Sequence, residues 1–243
     1  MSGIPDQSVR VLVTGFGPFP GIPHNASTSV AIAMEDSPAT PGVDVATAII
    51  PVVWATARVA ARKAVSHFQP HAVLHFGVSK RSSGFEIETR AFNMSGRKED
   101  QAGMVRRANA LVRTGKPVLT ATLPPLGLVR ALRKDGFPVA LSEDAGRYLC
   151  NALFYWSLYE GESDGRLVSF VHMPAIGAEA DVQPRLTMEE AVAGARILVR
   201  ACAEAVLRAK QNGKSQRGDI IGDGSQKLHR NGRSGCLAGG GDG

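Results

Sequence analysis

Six short apolar runs rich in β-branched residues punctuate the chain: Val9 to Thr14, Val43 to Ile50, Ala72 to Gly77, Val118 to Ala121, Val139 to Leu141 and Leu167 to His172. Each reads as a buried strand. Between them the apolar positions return at helical spacing, near Ser27 to Glu35, Trp54 to Phe68, Leu126 to Asp135, Leu149 to Tyr159 and Met188 to Lys210. Strands that alternate with helices are joined by crossovers, and crossovers cover both faces of a sheet. The pattern therefore predicts a single three-layer α/β/α sandwich around a mainly parallel, twisted sheet. The last helix has the clearest start, because Thr187 followed three residues later by Glu190 forms a capping box. Its stripe of Val192, Ala195, Val199, Cys202 and Val206 turns Cys202 toward the core.

Two segments break the alternation. From Gln211 onward the chain turns to Gly, Ser, Gln and mixed charge with few large apolar residues, a composition that does not offset the entropy of ordering. We expect an α/β domain over residues 1–210 and a disordered glycine-rich tail over 211–243. Between Ile87 and Val118 an extended start, Glu86 to Arg90, leads into the polar stretch Arg97, Lys98, Glu99, Asp100 and Gln101. Long connections of this kind in a compact domain tend to be functional or mobile.

Composition narrows the function. With 243 residues, 44% of them hydrophobic, the chain can bury a sizeable core. The net charge of +6 comes from scattered arginines and lysines without a basic stripe interleaved with aromatics, which speaks for solubility and against nucleic acid. No apolar run has the length of a membrane span, and no basic, apolar and small-residue succession marks a signal peptide. The expected setting is cytoplasmic, with no membrane partner. Cys150, Cys202 and Cys236 are odd in number and lack paired spacing, so neither a disulfide framework nor a zinc site is supported. Whether copies of the chain associate into a homo-oligomer is left open.

The chemistry points to the ends of the strands, where open α/β sheets bind ligands. Cys150 stands at a helix start and His172 closes a strand twenty-two residues on. A helix N-terminus and a neighbouring imidazolium both favour the thiolate, the nucleophilic form of cysteine. If the strands are parallel, both residues face one rim. Glu86 and Glu88 are candidates to orient the imidazole; two apart, they share a strand face, and periodicity does not choose between them. After the first strand, Gly15 and Gly17 open a GxGxxG, but Pro20 replaces its last glycine and Pro18 removes another N–H, which argues against a dinucleotide cradle. Phe16 and Phe19 on that stiff turn suit a small, flat, mostly apolar group. His67, His71 and His75 recur every four residues, but Pro70 interrupts any shared helix, and no metal site is expected.

Four motifs in order carry a resemblance: Val13 to Phe19 with Asn25 and Ser27 downstream; His75 to Ser79 leading to Glu88 and Asn93; Ser142 to Cys150; and Phe170 to Pro174. Over roughly Val9 to Lys210 the chain resembles the pyroglutamyl peptidase I family, the pyrrolidone-carboxylate peptidases. The resemblance implies a cysteine peptidase without cofactor or metal, acting on N-terminally pyroglutamylated peptides. It matches Cys150 to the nucleophile, His172 to the base and, aligned through Asn93, Glu88 to the third member of a Cys, His, Glu triad, with Phe16, Phe19, Gly77 and Val78 at the substrate. Many bacterial members have a glutamine after the glycine matched by Gly77; Val78 stands there in this chain, which looks more like the animal branch. A related cysteine amidohydrolase acting on another small lactam or amide, and a catalytically silent small-ligand-binding homologue, are the alternatives.

Overall fold

Hydrophobic strands meet in the order β2, β1, β3, β8, β4, β7 in the computed structural model, which describes residues 8–19, 21–35, 41–107, 109–176, 183 and 185–222. β1 (Val9–Phe16), β2 (Val43–Ile50), β3 (Ala72–Ser79) and β8 (Leu167–Pro174) run parallel. β4 (Phe85–Glu88) lies antiparallel to β8, and β7 (Val139–Ser142) follows β4 in parallel. The expected sheet is thus present but mixed, and β7 points its carboxyl end away from the rim where β8 ends. The expected strand near Val118 is not in this sheet. β3 and β4 occupy both edges of β8, so β6 (Val118–Thr120) pairs instead with β5 (Arg90–Phe92) in a separate antiparallel ribbon.

Side chains alternate between two apolar layers, as strand geometry requires. Val9, Val11 and Val13 of β1, Leu74 and Phe76 of β3, and Val171 and Met173 of β8 pack with α1 (Ala26–Glu35), α3 (Pro125–Lys134) and α5 (Met188–Gly222). Val168 and Phe170 of β8 face the other layer, formed by α2 (Ala57–Phe68), α4 (Leu149–Gly161) and residues of the β5/β6 ribbon. α4 is wedged between the sheet and this outer layer, and ten of its thirteen residues are buried. A helix apolar all round needs such enclosure. It is therefore a firm platform for Cys150.

The element boundaries have local causes. α3 begins at Pro125, whose missing N–H costs nothing in a first turn. α5 begins with the expected reciprocal cap: the Thr187 N–H donates to Glu190 Oε2 at 2.7 Å and the Glu190 N–H to Thr187 Oγ1 at 3.2 Å. Cys202 is fully buried, as its stripe predicts. α5 continues to Gly222, past the expected end at Lys210. The rest of the expected tail, Cys236 included, lies outside the described residues, as does Pro20. By contacts the chain forms a large unit, Met1–Leu207, and a small one, Arg208–Gly243.

The end of β1 shows why glycine is needed there. A Cβ on Gly15 would lie 2.1 Å from the Ser27 carbonyl oxygen. That close approach is fixed by side chains: Ser27 Oγ accepts the Phe16 N–H at 3.0 Å, and Asn25 Nδ2 donates to the Gly17 carbonyl at 2.9 Å. Gly15→Ala must push the start of α1 off the sheet, and we expect a loss of about 3 kcal/mol of stability, read from chemical denaturation.

Candidate active site

Strand register builds the site. Gly77 of β3 and Glu86 of β4 are the two cross-strand partners of His172, while Glu88 pairs with Phe170. Paired residues share a face, so Gly77, Glu86, Glu88, Phe170 and His172 all project toward α4. The carboxylate that reaches the imidazole is the diagonal one. His172 Nδ1 donates to Glu88 Oε1 at 2.7 Å, and both side chains are buried. Glu86 stays half-buried at the mouth of the site. Periodicity leaves the two carboxylates equivalent; antiparallel register separates them.

Cys150 reaches this face because position 77 has no side chain. A Cβ on Gly77 would lie 3.2 Å from Cys150 Sγ and 2.8 Å from the Phe170 ring. The loop 143–148 carries the chain back from the far-pointing end of β7 and starts α4 over the sheet. Asn151 anchors that start: its Oδ1 accepts the Phe92 N–H at 2.8 Å, and its Nδ2 donates to the carbonyls of Phe92 and Met94 at 2.9 Å each. Its side chain is the bolt between α4 and β5. The first backbone bond of α4 runs from the Ala152 N–H to the Tyr148 carbonyl, so the N–H groups of Leu149, Cys150 and Asn151 precede the helical ladder.

Two buried histidines on this face have opposite character. Burial works strongly against charging His172, but hydrogen bonds and charge from Cys150 and Glu88 outweigh it and raise its pKa to about 10. His75 is lowered to about 3, by burial first and then by the Arg166 charge. It bonds Thr14 Oγ1 at 2.7 Å and Ser157 Oγ at 2.8 Å, and so ties β1, β3 and α4 together as a neutral ring. His71 Nδ1 accepts the Arg10 N–H at 3.0 Å. His71 and His75 thus hold hydrogen bonds within the fold, while His67 lies exposed on α2. Glu86, Glu88 and His172 have ligand atoms within 4.8 Å of one another, but a cation there would have to part the Glu88–His172 pair.

Cys150 and His172 open into a cavity of about 690 Å³ whose wall includes Phe19, Val78 and Tyr148. Phe16 does not line it. That ring is buried 6.3 Å from the Phe170 ring, in the layer beneath. The aromatic beside Phe19 is instead Tyr148, at 6.3 Å between ring centroids, backed edge-on by Trp54 at 5.6 Å. Burial foremost raises the Tyr148 pKa to about 12, and its hydroxyl donates to the Glu99 carbonyl at 2.8 Å. Over both rings hangs Lys98, its Nζ 5.5 Å from the Phe19 centroid and 5.0 Å from that of Tyr148. Sequence reasoning assigned no role to Asn151, Tyr148 or Lys98. A buried amide in the first turn of a mostly apolar helix was the readable sign for Asn151.

The polar stretch before Val118 is well tied. Asn93 Oδ1 accepts the N–H groups of Leu111 and Val112 at 2.9 Å each, and Nδ2 donates to the carbonyls of Val112 and Gly115. The buried Asp100 accepts from the N–H groups of Trp54, Ala102 and Met104; burial opposes its charge, but those three bonds prevail and lower its pKa.

The His172 pair makes stability depend on pH. The folded protein binds the imidazole proton more tightly than the unfolded chain does, so the stabilisation is full below the ordinary value of 6.5 and is lost as pH rises through about 10. Denaturation from pH 6 to pH 10 should show this decline, and Glu88→Gln should flatten it.

Comparisons with known proteins place the chain in a family. The pyroglutamyl peptidase family model matches residues 9–206. The pyrrolidone-carboxylate peptidase of Vibrio vulnificus is 31% identical over 207 residues, covering 84% of this chain and 97% of its own, and that of Mycobacterium bovis is 31% identical over 210 residues, covering 82% and 92%. A mutant pyrrolidone carboxyl peptidase from the hyperthermophile Pyrococcus furiosus superposes with a TM-score of 0.75 at 26% identity, over 82% of this chain and all of its own. Matched over all but the ends, the chain belongs to the pyroglutamyl peptidase family.

Proposed function

We propose that this enzyme removes the N-terminal pyroglutamyl residue from peptides through a thioester on Cys150. The observation that carries the reading is the buried Glu88–His172 pair beside the half-buried Cys150, opening into a cavity with an aromatic wall. A cyclised N-terminus has no ammonium, so recognition needs an apolar slot more than an acidic anchor.

With Nδ1 held by Glu88, Nε2 of His172 is the nitrogen that serves Cys150. The thiolate attacks the pyroglutamyl carbonyl, and the new S–C bond leaves negative charge on the carbonyl oxygen. N–H groups ahead of the α4 ladder, that of Cys150 among them, hold this oxyanion. Collapse of the intermediate breaks the C–N bond, and the His172 proton goes to the leaving amine. Water then gives a proton back to His172 as its oxygen joins the acyl carbon, the S–C bond breaks, and free pyroglutamate and the thiolate result. Glu88 keeps the imidazole in the one orientation and tautomer these transfers need. We assign all of this to the larger unit; ending the chain after Gly222 should leave kcat/KM for a pyroglutamyl amide unchanged.

Release of a fluorophore from a pyroglutamyl amide tests the reading. Cys150→Ser should lower turnover by roughly three orders of magnitude or more while the thermal midpoint holds, because nucleophile and base act as a unit. Cys202→Ser, in the α5 stripe, should retain turnover and lose only stability. A broader amidohydrolase, the reading that the mute Val78 side chain favours, would instead cleave a prolyl amide as well as a pyroglutamyl one.

A further inference from the structure

A lactam ring brings a carbonyl acceptor into an apolar slot, and a buried acceptor without a donor costs more than the ring's packing returns. Ser79, Lys80, Arg81 and Ser142 also line the cavity, but its aromatic wall itself offers little. Phe19 and Val78 have no donor, and the Tyr148 hydroxyl is committed to the Glu99 carbonyl. Lys98 lines the same cavity, with its ammonium above the faces of both Phe19 and Tyr148. Among the described residues no carboxylate forms an ion pair with it. The chain on its C-terminal side is fixed, by the Tyr148 bond to Glu99 and by the contacts of Asp100 with the Trp54, Ala102 and Met104 N–H groups. Attraction to two ring faces orients the ammonium in advance, which reduces the entropy lost when it binds.

We infer that Lys98 is the residue that distinguishes the pyroglutamyl ring from a prolyl ring: it donates a hydrogen bond to the lactam carbonyl and repels a ring ammonium. The inference rests on the pyroglutamyl reading above. The two effects add in sign. A lactam gains a charge-assisted bond, whereas a prolyl ring has no carbonyl to receive it and sets a second positive charge beneath the first. A slot that depends on a lysine also needs no hydrogen-bonding side chain at Val78.

The test compares pyroglutamyl and prolyl amides of one fluorophore, with 2-pyrrolidinone as a competitive inhibitor. Lys98→Met keeps the alkyl stem and removes donor and charge. It should raise KM for the pyroglutamyl amide and Ki for 2-pyrrolidinone by roughly ten- to a hundredfold, with kcat changed far less. The pyroglutamyl-to-prolyl ratio of kcat/KM should fall by at least as much, and Lys98→Arg should restore most of it. A merely structural lysine would lower kcat for both substrates and leave their ratio alone. Unchanged KM, Ki and ratio in Lys98→Met, beside an active wild type, would overturn the role of Lys98 while sparing the pyroglutamyl reading. A wild type inert toward the pyroglutamyl amide would overturn both.

Discussion

The catalytic geometry depends on a contact distance. A Cβ at position 77 would crowd Cys150 Sγ at 3.2 Å, and the Phe170 ring presses on the same spot at 2.8 Å. With glycine there, α4 can settle onto the sheet deeply enough to bring its second residue, Cys150, to His172 on β8, the neighbour of β3 in the sheet. The burial of α4 on nearly every side then makes this placement rigid. Position within a fraction of an ångström matters more to a proton-transfer pair than any single contact energy, because misplacement costs rate directly. The hydrophobic layer that holds α4 thus supports the proposed chemistry by fixing where Cys150 sits.

Within that layer the protein sets two histidines to opposite tasks by choice of neighbours. Both lie on the α4 face of the sheet, and both are buried. His75 meets two hydroxyls, which offer hydrogen bonds but no charge, and burial wins. His172 meets a carboxylate and a thiol, and the charged ring wins. Neutral His75 fastens the scaffold under Phe170; its ring lies 6.0 Å from that of Phe170, which in turn lies 4.9 Å from His172. One aromatic ring separates the two imidazoles, and their different neighbours set their charge.

Hydrophobic periodicity revealed most of the strands and helices, because burial on the two faces of a sheet leaves that signature directly. It was silent on strand direction. β4 is short and follows a turn from β3, and nothing in its four residues shows that the chain passes over β8 before pairing, or that β7 must follow it in parallel. Cys150 and His172 stood out as rare residue types at element ends. The choice of Glu88 over Glu86 required the alignment through Asn93, since the diagonal reach across an antiparallel pair is a property of register. Phe16 and Phe19 are indistinguishable as letters on one turn, yet β1 still runs at Phe16 and carries its ring into the core, while Phe19 lies beyond the strand and faces the cavity.

The parts proposed for recognition and for reaction are built from different materials. Glu88, Gly77 and His172 sit on central strands and Cys150 on a packed helix, where neighbouring elements leave little freedom. Tyr148 and Lys98 sit on loops, and loops hold a shape only if their backbone groups find partners. Asn93 and Asp100 supply these from side chains, each gathering N–H groups that no strand or helix would satisfy. The long polar connection is thereby tied to α2's approach and to Tyr148, and its lysine is carried over the aromatic wall. Such a wall can change its selectivity through a few loop residues while the strand-borne pair beneath it remains in place.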